Sequence, residues 1–119
     1  MAQVLGIGGV FFKAADLPAL RDWYARVLGF NVTKWGGAVF DPPQRGRTVW
    51  TPFAQDTTHF APSDREFMIN LMVDDLDGVL ARVTEAGVPI LGREDMDQFG
   101  RFAWIMDPAG IKLELWQPA

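Results

Sequence analysis

The chain repeats itself. Gly9 through Leu17 aligns with Met68 through Leu76, placing Asp16-Leu17 and Asp75-Leu76 in register. Gly29 then corresponds to Gly87 after one deletion, and Phe40-Asp41-Pro42 to Met106-Asp107-Pro108. A repeat of this length constrains the fold more than any local propensity, because each half alone leaves its sheet uncovered. At 119 residues, of which 49% are apolar, the halves have to share one core.

Each half reads as strand, helix and three strands. Val4–Ala14 is apolar with glycines and suits a strand. Asp16 is a good N-cap, Pro18 is tolerated in a first turn, and Leu17, Leu20, Tyr24, Val27 and Leu28 recur at helical spacing until Gly29. Phe30–Trp35, Ala38–Phe40 and Arg47–Phe53 read as strands around Gly36-Gly37 and a Pro-rich loop. Residues 54–65 are polar and without period, which predicts a linker between a first module of about residues 4–53 and a second of about 66–117. Phe67–Val73 reads as a strand, and Asp75 caps a helix carrying Leu76, Val79, Leu80, Val83 and Ala86 up to Gly87. Val88–Leu91 reads as a short strand and Glu94–Gln98 as an acidic loop. Arg101–Met106 and Ile111–Trp116 form a hairpin about the turn Asp107-Pro108-Ala109-Gly110.

Alternation assigns the strand faces. Val10, Phe12 and Ala14 share one side, as do Val49 and Phe53, then Phe67, Ile69, Leu71 and Val73, then Ile111, Leu113 and Leu115. These apolar sides should pack under the helices. The opposite side mixes Phe11, Trp50, Met68, Met72 and Trp116 with Lys13, Thr48, Asn70, Lys112 and Glu114. An apolar lining with a few polar anchors suits a ligand pocket; a solvent face or a dimer contact is the alternative reading.

Composition removes several function classes. A net charge of −4 argues against nucleic acid as a partner. The chain has no cysteine, so disulfides, zinc ribbons and thiol nucleophiles are out. No apolar run is long enough to span a membrane, and Met1-Ala2-Gln3 does not resemble the start of a signal peptide, so a cytoplasmic location is expected. Gly6, Gly8 and Gly9 do not make a dinucleotide fingerprint.

Three segments resemble the vicinal oxygen chelate superfamily, the group of glyoxalase I, bleomycin-resistance proteins and extradiol dioxygenases. They are Gly6–Phe30, with its Trp23-Tyr24 and Val27-Leu28-Gly29-Phe30, Phe67–Val88, with Val73-Asp74-Asp75-Leu76-Asp77, and Gly100–Trp116, with Asp107-Pro108-Ala109-Gly110 and Glu114-Leu115. The resemblance covers nearly the whole chain. It implies an α+β fold of two tandem βαβββ modules in one glyoxalase-like domain, their mixed sheet curled around a cavity, and a homodimer. The two modules pair within one chain or between two.

The resemblance also implies metal-ligand positions at Gly9, Met68 and Glu114, and at Trp50 or the neighbouring Thr51. Of Gly9, Met68, Trp50 and Glu114 only the last is a ligand for a hard or borderline divalent ion, and such a site needs about three. No metal and no cofactor is therefore expected. His59, the one imidazole of the chain, lies in the linker. Glu114 is the candidate catalytic residue: burial beside Trp50 and Trp116 could make it a general base, while pairing with Lys13, Lys112 or Arg101 would make it structural. Phe11, Lys13, Trp50, Met68, Asn70, Met72 and Trp116 are the candidate ligand-binding residues. The resulting expectation is a metal-independent protein holding a small aromatic or amphipathic molecule. Its alternatives are a glyoxalase-like lyase or isomerase using Glu114 with an unrecognised metal site, and a non-catalytic interaction module.

Overall fold

The computed structural model describes residues 2–119; Met1 lies outside them. In chain order the elements are α1 (Leu17–Leu28), β1 (Ile69–Met72), α2 (Leu76–Glu85), β2 (Gly92–Met96), β3 (Gly100–Met106) and β4 (Lys112–Pro118). The fold is α+β with a mixed, open sheet in the order β1-β4-β3-β2. β1 runs parallel to β4, and the other neighbours are antiparallel. The second half thus forms one complete βαβββ unit.

Both helices start as their sequences dictate. The Asp16 carboxylate accepts from the Ala19 N–H at 3.0 Å, and the Asp75 carboxylate from the Gly78 N–H at 3.2 Å. Gly29 ends α1 at φ +72°, a left-handed conformation that an L side chain resists. Leu20, Val27, Leu76, Leu80 and Val83 from the helices meet Ala103, Ile105, Ile111, Leu113 and Leu115 from β3, β4 and the turn between them, in one core. Full burial of each Leu or Ile there stabilises the fold by roughly 1.5–3 kcal/mol.

Three expectations need correction. In the first half the segments Val4–Ala14, Phe30–Trp35, Ala38–Phe40 and Arg47–Phe53 are extended or turn chain with no ladder, so only α1 of that module is regular. A strand exists through a ladder of hydrogen bonds to a neighbour, and the backbone bonds these segments do make, such as Thr33 N–H to the Gly37 carbonyl, are turn contacts that build no ladder. Val10, Phe12, Val49 and Phe53 accordingly remain exposed rather than packed under the helices, while Ala14 does touch the core. In the second half, Val88–Leu91 is not ladder strand, and the acidic stretch expected to be a loop provides β2 instead. An edge strand tolerates charge because solvent reaches it.

Candidate functional site

The β3–β4 loop determines which side chains share a face. Asp107 N–H donates to the Ile111 carbonyl at 2.9 Å, so Ile111 belongs to the loop and Met106 pairs with Lys112. Trp104 then lies opposite Glu114, and Phe102 opposite Trp116. The parallel pairing sets Asn70 beside Glu114 and Met72 beside Trp116. One row across β1, β4 and β3 is Asn70, Glu114, Trp104; the next is Met72, Trp116, Phe102. Arg101 has the opposite parity and makes a two-point contact with Asp77 of α2, at 3.1 and 3.2 Å.

Glu114 is the centre of this face. Asn70 Nδ2 donates to its Oε1 at 2.7 Å and Trp104 Nε1 to its Oε2 at 2.8 Å. Its side chain is only 16% exposed, and His59 Nε2 stands 3.7 Å from Oε2. A carboxylate held by two N–H donors is fixed in orientation, and each oxygen retains a free acceptor position.

The segment 54–65, which carries neither helix nor strand, brings His59 there. Ser63 Oγ donates to the Gly110 carbonyl, and Arg65 reaches the Ala109 carbonyl at 3.0 Å and the Lys13 carbonyl at 3.2 Å. Lys112, buried on the sheet, donates from Nζ to the His59 carbonyl and sits 5.8 Å from the Trp104 ring centroid. The imidazole stacks parallel on Phe53, centroids 5.4 Å apart, and meets Trp104 edge-on at 6.0 Å. Phe102 is within 12° of parallel to Trp104 and within 8° of parallel to Trp116. Trp116 Nε1 donates to the Phe99 carbonyl at 2.7 Å. The result is a row of three similarly oriented aromatic rings beside one fixed carboxylate.

Of the residues singled out in the sequence, Glu114 and Asn70 are bonded to each other, and Trp116 and Met72 lie in the adjoining row. Met68, half-buried, immediately precedes β1. The chain does not bring Phe11, Lys13 or Trp50 to them: Phe11 is 94% and Trp50 78% exposed, and Lys13 is exposed on the same ladder-free segment as Phe11. Trp104, Phe102, His59 and Phe53 complete the face. A four-residue turn at 107–110 would have given Trp104 and Phe102 the opposite parity. The five-residue loop is the signal that finds them, and nothing local in residues 54–65 announces His59.

The donor chemistry does not fit the divalent ion of metal-dependent relatives. Gly9, Met68 and Trp50 offer no hard ligand, and Glu114 with the neighbouring His59 makes two donors where such a site needs about three. Among the described residues no three His, Asp or Glu side chains converge. Two clefts, of about 220 and 270 Å³, lie beside the helices, lined in part by Ala19, Leu20 and Pro108 and by Val27, Gly78 and Arg82 respectively; Glu114 lines neither. No helix among the described residues is long and apolar enough to cross a membrane.

A family model described as a glyoxalase-like domain matches residues 9–116. The fold is similar to that of a glyoxylase/bleomycin resistance protein/dioxygenase domain from Frankia sp. EAN1pec, with 18% identity, 98% of this chain and 100% of that chain covered, and a TM-score of 0.63. It is also similar to TnmS3, an antibiotic binding protein from Streptomyces sp. CB03234, with 24% identity, 89% of each chain covered and a TM-score of 0.55. A glyoxalase/bleomycin resistance protein from the same Streptomyces matches with 24% identity over 87% of this chain and 93% of that chain, at a TM-score of 0.55. No curated protein is detectably similar to the chain.

Proposed function

The chain belongs to the glyoxalase-like domain family, and from that premise we propose that it is a metal-independent member that binds a flat, small molecule on the open face of its sheet. The observation carrying this reading is the row Trp104, Phe102 and Trp116, near parallel and flanking the fixed Glu114 carboxylate. Aromatic rings give a planar ligand stacking area beyond simple burial. Glu114 offers free acceptor positions to a donor on that ligand, and His59 stands across from it. TnmS3, with a similar fold, is an antibiotic binding protein, and drug sequestration is the form of binding proposed for this chain.

Tryptophan fluorescence tests it, because Trp104 and Trp116 lie on the face itself. Titration with bleomycin and with 9-aminoacridine should give saturable quenching by at least one of them. Trp116→Ala should weaken that signal and Glu114→Gln should lower the affinity. Unsaturable quenching by both, or saturation unchanged in these variants, would remove the proposal.

A second reading draws on the 3.7 Å approach of His59 to Glu114: a lyase or isomerase in which the carboxylate moves a proton and the imidazole is its titratable neighbour. Turnover of a hemithioacetal that is lost in Glu114→Gln would favour it over sequestration.

A further inference from the structure

The open face of the sheet is lopsided in what it offers a ligand. Its N–H-bearing side chains on β1, β3 and β4 are Asn70, Trp104, Lys112 and Trp116. Each is bonded within the chain: Asn70 and Trp104 to Glu114, Trp116 Nε1 to the Phe99 carbonyl, and Lys112 Nζ to the His59 carbonyl. Acceptors are in surplus. A carboxylate has about four lone-pair positions, and Asn70 and Trp104 take one on each oxygen of Glu114. Glu94, exposed in the row of Phe102 and Trp116, has no ion-pair partner among the described residues.

The charge of Glu114 also lacks a bonded counter-charge. Its side chain is only 16% exposed, and both of its donors are neutral N–H groups. Among the described residues no Lys or Arg reaches it, and His59 Nε2 at 3.7 Å is beyond hydrogen-bond reach. A carboxylate drawn this far from water is ordinarily paired with a cation. The two donors arrive from opposite sides, Asn70 from β1 to Oε1 and Trp104 from β3 to Oε2, because β4 lies between those strands. The acceptor positions left open therefore form a pair, one on each oxygen. Two N–H groups on neighbouring atoms of one planar cation meet such a pair with two parallel bonds, as a guanidinium does.

We propose that the ligand of this face is a flat heteroaromatic cation with two adjacent N–H donors, of the 2-aminopyridinium or amidinium type. The two N–H groups bond the two oxygens of Glu114, and the ring lies against Trp104, Phe102 and Trp116. A cation over indole faces gains a further attraction, and Glu94, paired with Phe102 across β2 and β3, adds negative potential. An anion finds no such match, because Lys112, the one cation of this face on β1, β3 and β4, is buried and bonded to the His59 carbonyl. The inference rests on the reading of the face as a ligand site and narrows it from planar molecules in general to this donor pattern.

Calorimetric titration of the full chain with isomeric aminoquinolines tests it. Protonated 2-aminoquinoline carries the adjacent donor pair; 4-aminoquinoline is the same flat base with its donors at opposite ends of one ring. The wild type should bind 2-aminoquinoline roughly tenfold or more tighter than 4-aminoquinoline. The 1-methyl-2-aminoquinolinium ion keeps the charge and the ring but loses one donor, so its affinity should fall to that of the 4-isomer. In Glu114→Gln, folded by circular dichroism, the two isomers should bind alike, since the amide presents one acceptor and one donor. The N-methyl comparison uses the wild type and decides the matter where the variant does not fold. Equal or tighter binding of 4-aminoquinoline, undiminished binding of the N-methyl cation, or a preference that survives in folded Glu114→Gln overturns the proposal. Saturable binding of bleomycin or 9-aminoacridine by a protein that does not separate the isomers leaves the ligand-binding reading standing and removes this inference alone. No saturable binding of any of these probes removes both.

Discussion

Tyr24 and Asp107, 83 positions apart, are joined by a buried hydrogen bond in which the phenol donates to the carboxylate Oδ2 at 2.6 Å. The other oxygen of Asp107 accepts the Ala109 and Ile111 N–H groups, both at 2.8 Å. One side chain therefore fastens α1 to the loop that sets the β3–β4 register.

Tyr24→Phe removes that bond and keeps the ring contacts with Trp23 and Phe30. We expect a loss of about 1–3 kcal/mol, because a buried carboxylate oxygen is left without its donor. Urea unfolding followed by circular dichroism measures it, with an unchanged m-value showing that compactness is retained.

The same phenol sets an alkaline limit. Burial first, then the hydrogen bond to Asp107, then the negative charge of Asp107 raise its pKa well above the ordinary value near 10. A folded pKa above the unfolded one means that the contribution is complete below pH 10. It is lost as pH rises from there toward the folded pKa, because the unfolded state releases its proton first. Stability should fall above pH 10 in the wild type and fall less steeply in Tyr24→Phe; equal slopes would show that other groups control the limit.

Glu114→Ala should disturb the site more than Glu114→Gln. Alanine leaves both Asn70 Nδ2 and Trp104 Nε1 without their acceptor, whereas glutamine keeps one oxygen for one of them. For whichever of bleomycin and 9-aminoacridine binds, Glu114→Gln should cost about tenfold in affinity, equivalent to about 1.4 kcal/mol, and Glu114→Ala more. Calorimetric titration of the three proteins ranks them.

Zinc or nickel added to the protein should give no stoichiometric complex after desalting, since Glu114 is the one hard donor among Gly9, Met68, Trp50 and Glu114. Elemental analysis checks this, and chelator treatment should leave the thermal unfolding temperature unchanged. One tightly held ion per chain would contradict the donor chemistry.

Gly100 adopts φ +117°, and a Cβ built there would run into the Gln117 carbonyl of β4. Gly100→Ala should cost roughly 1–3 kcal/mol or more, and proton NMR should show β3 and β4 amide shifts while α1 is little changed.

Much of this was legible from residue order. Asp16, Asp75 and Gly29 marked helix ends through chemistry that acts within one turn, and the Leu113 and Leu115 alternation identified the core side of β4. The Asn70–Glu114 pairing followed the shared face of their strands. What escaped depends on partners distant in sequence. Val4–Ala14 has strand composition, but composition does not supply a neighbour to bond. Glu94 and Asp95 looked like loop because edge position, which makes them tolerable in β2, is a property of the finished sheet. Trp104 turned on whether one residue, Ile111, belonged to the loop, and His59 on side-chain contacts of Ser63, Arg65 and Lys112 across the linker.

The placement of Ile111 in the loop has a consequence for how such a protein can change. Residues of the open sheet face and residues that hold the core together alternate along β4, Glu114 between Leu113 and Leu115. Losing or gaining a single position in that loop would turn the carboxylate inward and the leucines outward, and the molecule would fail before it acquired a new preference. Diversification on this sheet must therefore come from exchanging one side chain for another at fixed length, while insertions are confined to the ladder-free stretches outside it.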